Sequence, residues 1–232
     1  MVPCHHDRKN LPVRERIVDN LPFLVPQSRT GNATVAALCL TTKAASTSIL
    51  RHVLGSAERR GIPLEARWFE CPHGHGVIAH GLAPPRTLSF MVVRHPLFRL
   101  MSAYEEVRAK GLWHRLPRAQ PNVSFAHAVH QLVNTPPKQV NVHFRALWAT
   151  CGLMSGRRYD ILRYENWGRL SRVLALHFAP NQPLLAFHDT DALARANQLY
   201  THELAALANR WTRVDFAMFG YAPWWPGEPL PT

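Results

Sequence analysis

Lys43 is followed by two alanines and then by Ser46, Thr47 and Ser48, inside the stretch "LCLTTKAASTSIL" at residues 38–50. An ammonium and three hydroxyls, placed where an apolar run gives way to helical spacing, suit the binding of an anion. The first N–H groups of a helix have no intrahelical partners and the helix dipole is positive there, so a phosphate or sulfate at that turn gains from both. The same residues also read as an ordinary helix start, with Ser46 as N-cap and Lys43 solvated. The glycines of a G-x-x-x-x-G-K-[ST] loop are missing, which argues against a nucleoside triphosphatase.

A second candidate lies at "VVRHP", where Arg94 ends another apolar run and Ser102 follows eight residues later, with Arg99 between them. A guanidinium can fork two N–H donors onto a phosphate, and a serine two helical turns along can reach the same oxygens. The competing reading pairs Arg94 with Glu105 or Glu106. A third lies in "CPHGHGVIAHG" at 71–81, where His73 and His75 flank a glycine. An imidazole there can take a proton from a hydroxyl near neutral pH, and His143 in "NVHF" is a second candidate for base or substrate contact. Cys71, His73, His75 and His80 form a rival metal-ligand set, but their spacing matches no common zinc pattern. His80 reads equally well as a surface residue.

These groups need elements to hold them. Residues 34–41 read as a buried strand and 46–60 as a helix with Ile49, Leu50, Val53 and Leu54 on one side. Residues 62–87, rich in Pro, Gly and His, read as an extended loop region. A strand at 88–93 runs into a helix started by Pro96, 124–134 is helical, 159–165 is a third strand, and 167–178 and 190–213 are helical. The order predicts an α/β, P-loop-like domain, its mostly parallel sheet covered by helices on both faces and its ligands at the carboxyl ends of the strands. One domain is expected over 1–232, with a core at about 34–221, an extension before it, and an irregular tail whose two tryptophans fold back.

The composition fits a globular protein with a real core: 232 residues, 47% apolar and 18% charged. A net charge of +12 favours polyanions or membrane surfaces. Cys39 reads as a plain buried thiol, and one disulfide, Cys71 to Cys151, is conceivable. No transmembrane run and no signal peptide are visible, so the chain is expected either in the cytosol or without its targeting segment. Asn32 and Asn122 head glycosylation triplets that suit the secretory pathway. A nucleic-acid-binding module fits the charge and the seven tryptophans, but the basic residues are dispersed rather than clustered. A phosphoryl-transfer enzyme lacks its glycines and its acidic magnesium partner, and a non-catalytic relative would have lost Lys43 or the histidines.

Taken together, "KAASTS" and "VVRHPLFRLMSAY" resemble the 5′-phosphosulfate loop and the 3′-phosphate motif of the Golgi carbohydrate sulfotransferases, which use 3′-phosphoadenosine 5′-phosphosulfate. "NVHFRALWATCG", "YDILRYENW" and "LYTHELAALANRWTRVDFAMFGY" resemble, in order, later blocks of the chondroitin and dermatan branch. "HGH" at 73–75 is similar to the heparan sulfate uronyl 2-O-sulfotransferases, where such histidines are tied to catalysis. The resemblance covers about 34–221. It implies donor contacts from Lys43, Ala45, Ser46, Thr47, Ser48, Arg94 and Ser102, and catalysis by Lys43 with His75 or His73. Acceptor contacts are expected from His143, Arg99 and Arg145. It further implies sulfuryl transfer to an acidic or neutral glycan, with no metal, no nucleic-acid partner, and a Golgi location whose membrane anchor would lie outside this chain. One departure stands out: those families carry an acidic residue after the motif's arginine, and here it is His95.

Overall fold

The computed structural model describes residues 23–26, 35–44, 49, 66–71, 74–79, 88–116, 121–151, 153, 158–177 and 191–229. Strands β2 (Val35–Leu40), β5 (Leu88–Val93) and β6 (Asp160–Arg163) pair in parallel in that spatial order, and β1 (Phe23–Pro26) adds an antiparallel edge strand to β2. The register sets Leu38 beside Phe90 and Cys39 beside Met91, so alternate residues line opposite faces. Both faces are buried, with Leu38, Cys39, Phe90, Met91, Val92 and Val93 all nearly inaccessible. That double burial is why these strands read as uninterrupted apolar runs.

Helix α1 (Pro96–Lys110) leaves the end of β5 and is buried on all sides from Pro96 to Tyr104. Its face meets α2 (Phe125–Val133), α4 (Ala192–Leu199) and α5 (His202–Trp211), which share one core with Cys39, Met91 and Val93. Helix α3 (Trp167–His177) lies over the other face, with Leu170 and Leu174 buried and His177 packed 5.1 Å from the ring of Phe90. A last helix, α6 (Arg213–Phe219), follows α5, and Trp224 beyond it is buried against Phe98. The mostly parallel sheet with helices on both faces is therefore as expected.

Three expectations are corrected. Residues 66–71 and 74–79 are not an extended loop: β3 (Ala66–Cys71) and β4 (Gly74–Ala79) pair as a separate antiparallel two-stranded sheet. Glycine within β4 gave a turn signal, whereas cross-strand pairing decides the conformation. The helix expected over 190–213 breaks at Tyr200 and Thr201, because the Thr201 hydroxyl accepts from the Leu204 N–H and starts a new helix. Cys39 is not a free thiol and Cys151 does not pair with Cys71. Cys39 and Cys151 form a disulfide, Cα atoms 6.0 Å apart, tying β2 to the segment after Leu147. Connectivity of this kind follows from the fold rather than from spacing. The helix expected at 46–60 lies outside the described residues except at Ile49, which is helical and buried.

Candidate active site

Parallel pairing brings the ends of β2, β5 and β6 to one edge of the sheet, and the turn Thr41–Ala44 sits there. Thr41 Oγ1 donates to the carbonyl of Val92 (2.8 Å), Thr42 Oγ1 donates to that of Val142 (3.0 Å), and the Ala44 N–H closes the turn on Thr41 (3.3 Å). Within it Lys43 is held at φ 66°, a left-handed conformation that costs a residue with a Cβ on the order of 1–3 kcal/mol. Arg94, immediately after β5, donates from Nη1 to the Lys43 carbonyl (3.4 Å) and lies over the Tyr164 ring, 4.8 Å from its centroid. The two segments with anion-binding character thus meet.

Arg99, Ser102 and Glu106 share a face of α1, since positions three, four and seven apart stack on a helix. Arg99, 3% exposed, donates to Thr42 Oγ1 (3.3 Å), to the carbonyl of His143 (3.2 Å) and to that of Arg145. Burial lowers its guanidinium to about 10, opposed by the charge of Asp215, so it is cationic at neutral pH. Asp215, fully buried on α6, accepts the backbone N–H groups of Leu147 (2.9 Å) and Trp148 (2.8 Å). Its carboxyl is raised by burial, which those hydrogen bonds and Arg99 oppose.

Glu106 gathers the cations. Lys43 forms an ion pair with it, Lys110 lies at 2.7 Å and Arg115 at 3.6 Å. Burial alone would raise Glu106, but Lys43 and Lys110 hold it well below the usual carboxylate range. Burial also lowers the Lys43 ammonium, with Glu106 opposing. Arg115 Nη1 reaches His143 Nε2 (3.1 Å) while His143 Nδ1 reaches Asn141 Oδ1 (2.9 Å). An arginine only donates, so His143 is neutral, with its proton on Nδ1 and its Nε2 lone pair occupied. Burial, followed by the charges of Arg115 and Lys43, lowers it to about 3.

His95, the departure from the acidic residue, is wholly buried and caps α1: its Nδ1 accepts the Leu97 N–H (3.3 Å) and its Nε2 donates to the carbonyl of Ala222 (3.0 Å). Phe98, Phe216 and Tyr221 surround the ring at 5.1 to 5.4 Å. Burial lowers it to about 4, so it is neutral. A carboxylate reaches this position from the turn after β6 instead, because Glu165 accepts the His95 backbone N–H (2.7 Å) and the Tyr221 hydroxyl (2.8 Å).

Of the residues singled out from sequence, Lys43, Arg94, Arg99, Ser102, His143 and Arg145 fall on the turn, the start of α1 and the 140–148 segment. Arg99 is a buried clamp between Thr42 and that segment, and Arg145 donates to the Val140 carbonyl (3.3 Å). Ala45, Ser46, Thr47, Ser48, His73 and His80 lie outside the described residues. His75 is in β4, in register with Glu70. Sequence reasoning passed over Arg115, Glu165 and Asp215, and it offered Glu105 or Glu106 only as a partner for Arg94, whereas Glu105 pairs with Arg108 and Glu106 with Lys43, Lys110 and Arg115. The signal for a role of Glu106 in the site was its place one turn after Ser102.

Around Glu106 the cations Lys43, Lys110 and Arg115 outnumber the acid, and with Arg94 on the neighbouring strand end the donor set suits an anionic ligand. Among the described residues no cluster of His, Cys, Asp and Glu forms a metal site, and no helix is long and apolar enough to cross a membrane. No curated protein and no solved structure matches the chain. Compared with the models of known families, residues 34–222 match the one described as the sulfotransferase family. That span begins with the strand before Lys43, ends at the residue that holds His95, and covers most of the chain, which belongs to the sulfotransferase family.

Proposed function

We propose that this sulfotransferase takes its sulfuryl group from 3′-phosphoadenosine 5′-phosphosulfate and passes it to a hydroxyl of a glycan. The observation that carries the reading is the hydrogen bond from Arg94 to the Lys43 carbonyl, which joins the segments resembling the 5′-phosphosulfate loop and the 3′-phosphate motif. When bound, the donor supplies a sulfur whose bond to the bridging phosphate oxygen breaks as a bond to the acceptor oxygen forms. Lys43 and the N–H groups at 46–48 stabilise the charge that grows on the bridging oxygen, an electrostatic contribution available without reorganisation. Arg94 and Ser102 hold the 3′-phosphate, while Glu165 and His95 fix the strand end that carries Arg94.

The acceptor hydroxyl must lose a proton. His143 is a poor base as bonded, because its free lone pair accepts from Arg115 and burial disfavours its protonation. The role goes to His75 or His73, and His143 and Arg145 contact the acceptor. The net charge of +12 favours an acidic glycan, and the buried Cys39–Cys151 disulfide supports an oxidising compartment such as the Golgi lumen.

Calorimetry with 3′-phosphoadenosine 5′-phosphate tests the donor site, with adenosine 5′-phosphate as control. Loss of a charged phosphate contact in Arg94→Ala is expected to weaken binding by about ten-fold or more, with a smaller loss in Ser102→Ala. Equal affinity for the two nucleotides, or no binding of either, would refute the reading.

A further inference from the structure

A groove of about 400 Å³ lies between α5, α6 and the 140–148 segment, with Val140 and Ala146 in its lining and Trp148, Trp211, Arg210 and Arg213 around it. Trp148 and Trp211 are half-buried, and Arg210 and Arg213 are exposed. Among the described residues neither arginine takes part in an ion pair. Indole faces pack against the C–H faces of sugar rings, and exposed guanidinium forks match carboxylates and sulfates in two parallel hydrogen bonds. Apolar faces joined to a few charged donors are the usual make-up of a specific ligand site.

The groove and the candidate active site share one piece of chain. Val140, Ala146 and Trp148 line the groove, while His143 and Arg145 between them are held by Arg115 and Arg99. Asp215 fixes this arrangement from the groove side, since it binds the Trp148 N–H and sits two residues after Arg213. We infer that the groove is a subsite for an acidic oligosaccharide, holding sugar units next to the one that reacts, with rings on Trp148 and Trp211 and anionic groups on Arg210 and Arg213. The choice of a glycan rests on the function proposed above.

Calorimetric titration without nucleotide tests the subsite. The probes are a chondroitin sulfate hexasaccharide and neutral maltohexaose. The proteins are wild type, Arg210→Ala/Arg213→Ala, and Arg169→Ala/Arg172→Ala, which removes equal charge from exposed positions on α3. The groove variant is expected to bind the sulfated hexasaccharide about ten-fold more weakly, the α3 variant within about two-fold of wild type, and maltohexaose far more weakly than the sulfated probe. Equal losses in both variants would mean that bulk charge holds the glycan and would overturn the inference. An unchanged groove variant, equal binding of maltohexaose, or no binding to wild type would do the same. Because no donor is present, a failure of nucleotide binding leaves this result intact, and the two readings fail separately.

Discussion

The ammonium of Lys43 rests on the carboxylate of Glu106, a residue of α1 that Lys110 and Arg115 also approach. Glu106 therefore competes with an anionic ligand for the lysine proposed to act in sulfuryl transfer. Glu106→Gln is expected to tighten binding of 3′-phosphoadenosine 5′-phosphate by about three- to ten-fold, the scale of one partly screened charge contact. Calorimetry decides, and weaker binding in the variant would show that the carboxylate orients Lys43 instead of competing for it.

Arg99 holds three acceptors on two segments, Thr42 Oγ1 and the carbonyls of His143 and Arg145. A lysine cannot present that planar fork, so Arg99→Lys is expected to lower stability by about 2–4 kcal/mol in a urea titration. The acceptor KM of the folded variant should hardly change. Full stability with a raised KM would make Arg99 a substrate contact, as its place in the sequence motif first implied.

His95 makes stability depend on acid. Its folded value of about 4 lies below its ordinary value of 6.5, so between those limits the unfolded chain takes up a proton that the folded chain refuses. Its contribution is complete above about pH 6.5 and is lost as the pH falls towards 4, amounting to about 3 kcal/mol. His143, lowered to about 3, acts in the same direction. His95→Asn keeps a side-chain oxygen to cap α1 but does not titrate, so urea midpoints measured from pH 7 to 4 should fall less steeply than in wild type. Parallel curves would show that His95 is not the group responsible.

The Cys39–Cys151 disulfide closes a sequence separation of 112 residues, for which chain entropy predicts about 4–5 kcal/mol. Cys151→Ala should lower the denaturation midpoint, reductant should lower that of wild type to match, and reductant should leave the variant unchanged. Non-reducing peptide mapping is the direct check, and a linkage to Cys71 would contradict the structure.

Much of the site's framework was legible because it is local. The strands at 35–40 and 88–93 show as apolar runs, and their parallel pairing carries Lys43 and Arg94 to the same edge of the sheet. What stayed hidden depends on partners far along the chain. Nothing near Lys43 announces Glu106, nothing near Leu147 announces Asp215, and Cys39 looks like any small apolar core residue until the fold sets Cys151 beside it. The β3–β4 pair was masked by its own turn-forming composition, and His95 looked like a lost carboxylate because Glu165, whose carboxylate accepts the His95 N–H, comes from the turn after β6, far along the chain.

The bond between His95 and the Ala222 carbonyl also orders events in time. During synthesis the strand carrying Arg94 emerges early, yet the ring that starts α1 meets its second partner only after α6 has been made. Trp224, which fills the space beside Phe98 and Tyr200 and is held by Asn209, arrives later still. A nascent chain that has emerged only as far as α6 thus has α1 but neither the Ala222 carbonyl nor the Trp224 indole that pack against its first turn. The last residue of the matched region acts as a latch, because the start of α1, next to Arg94, is complete only when Ala222 has arrived.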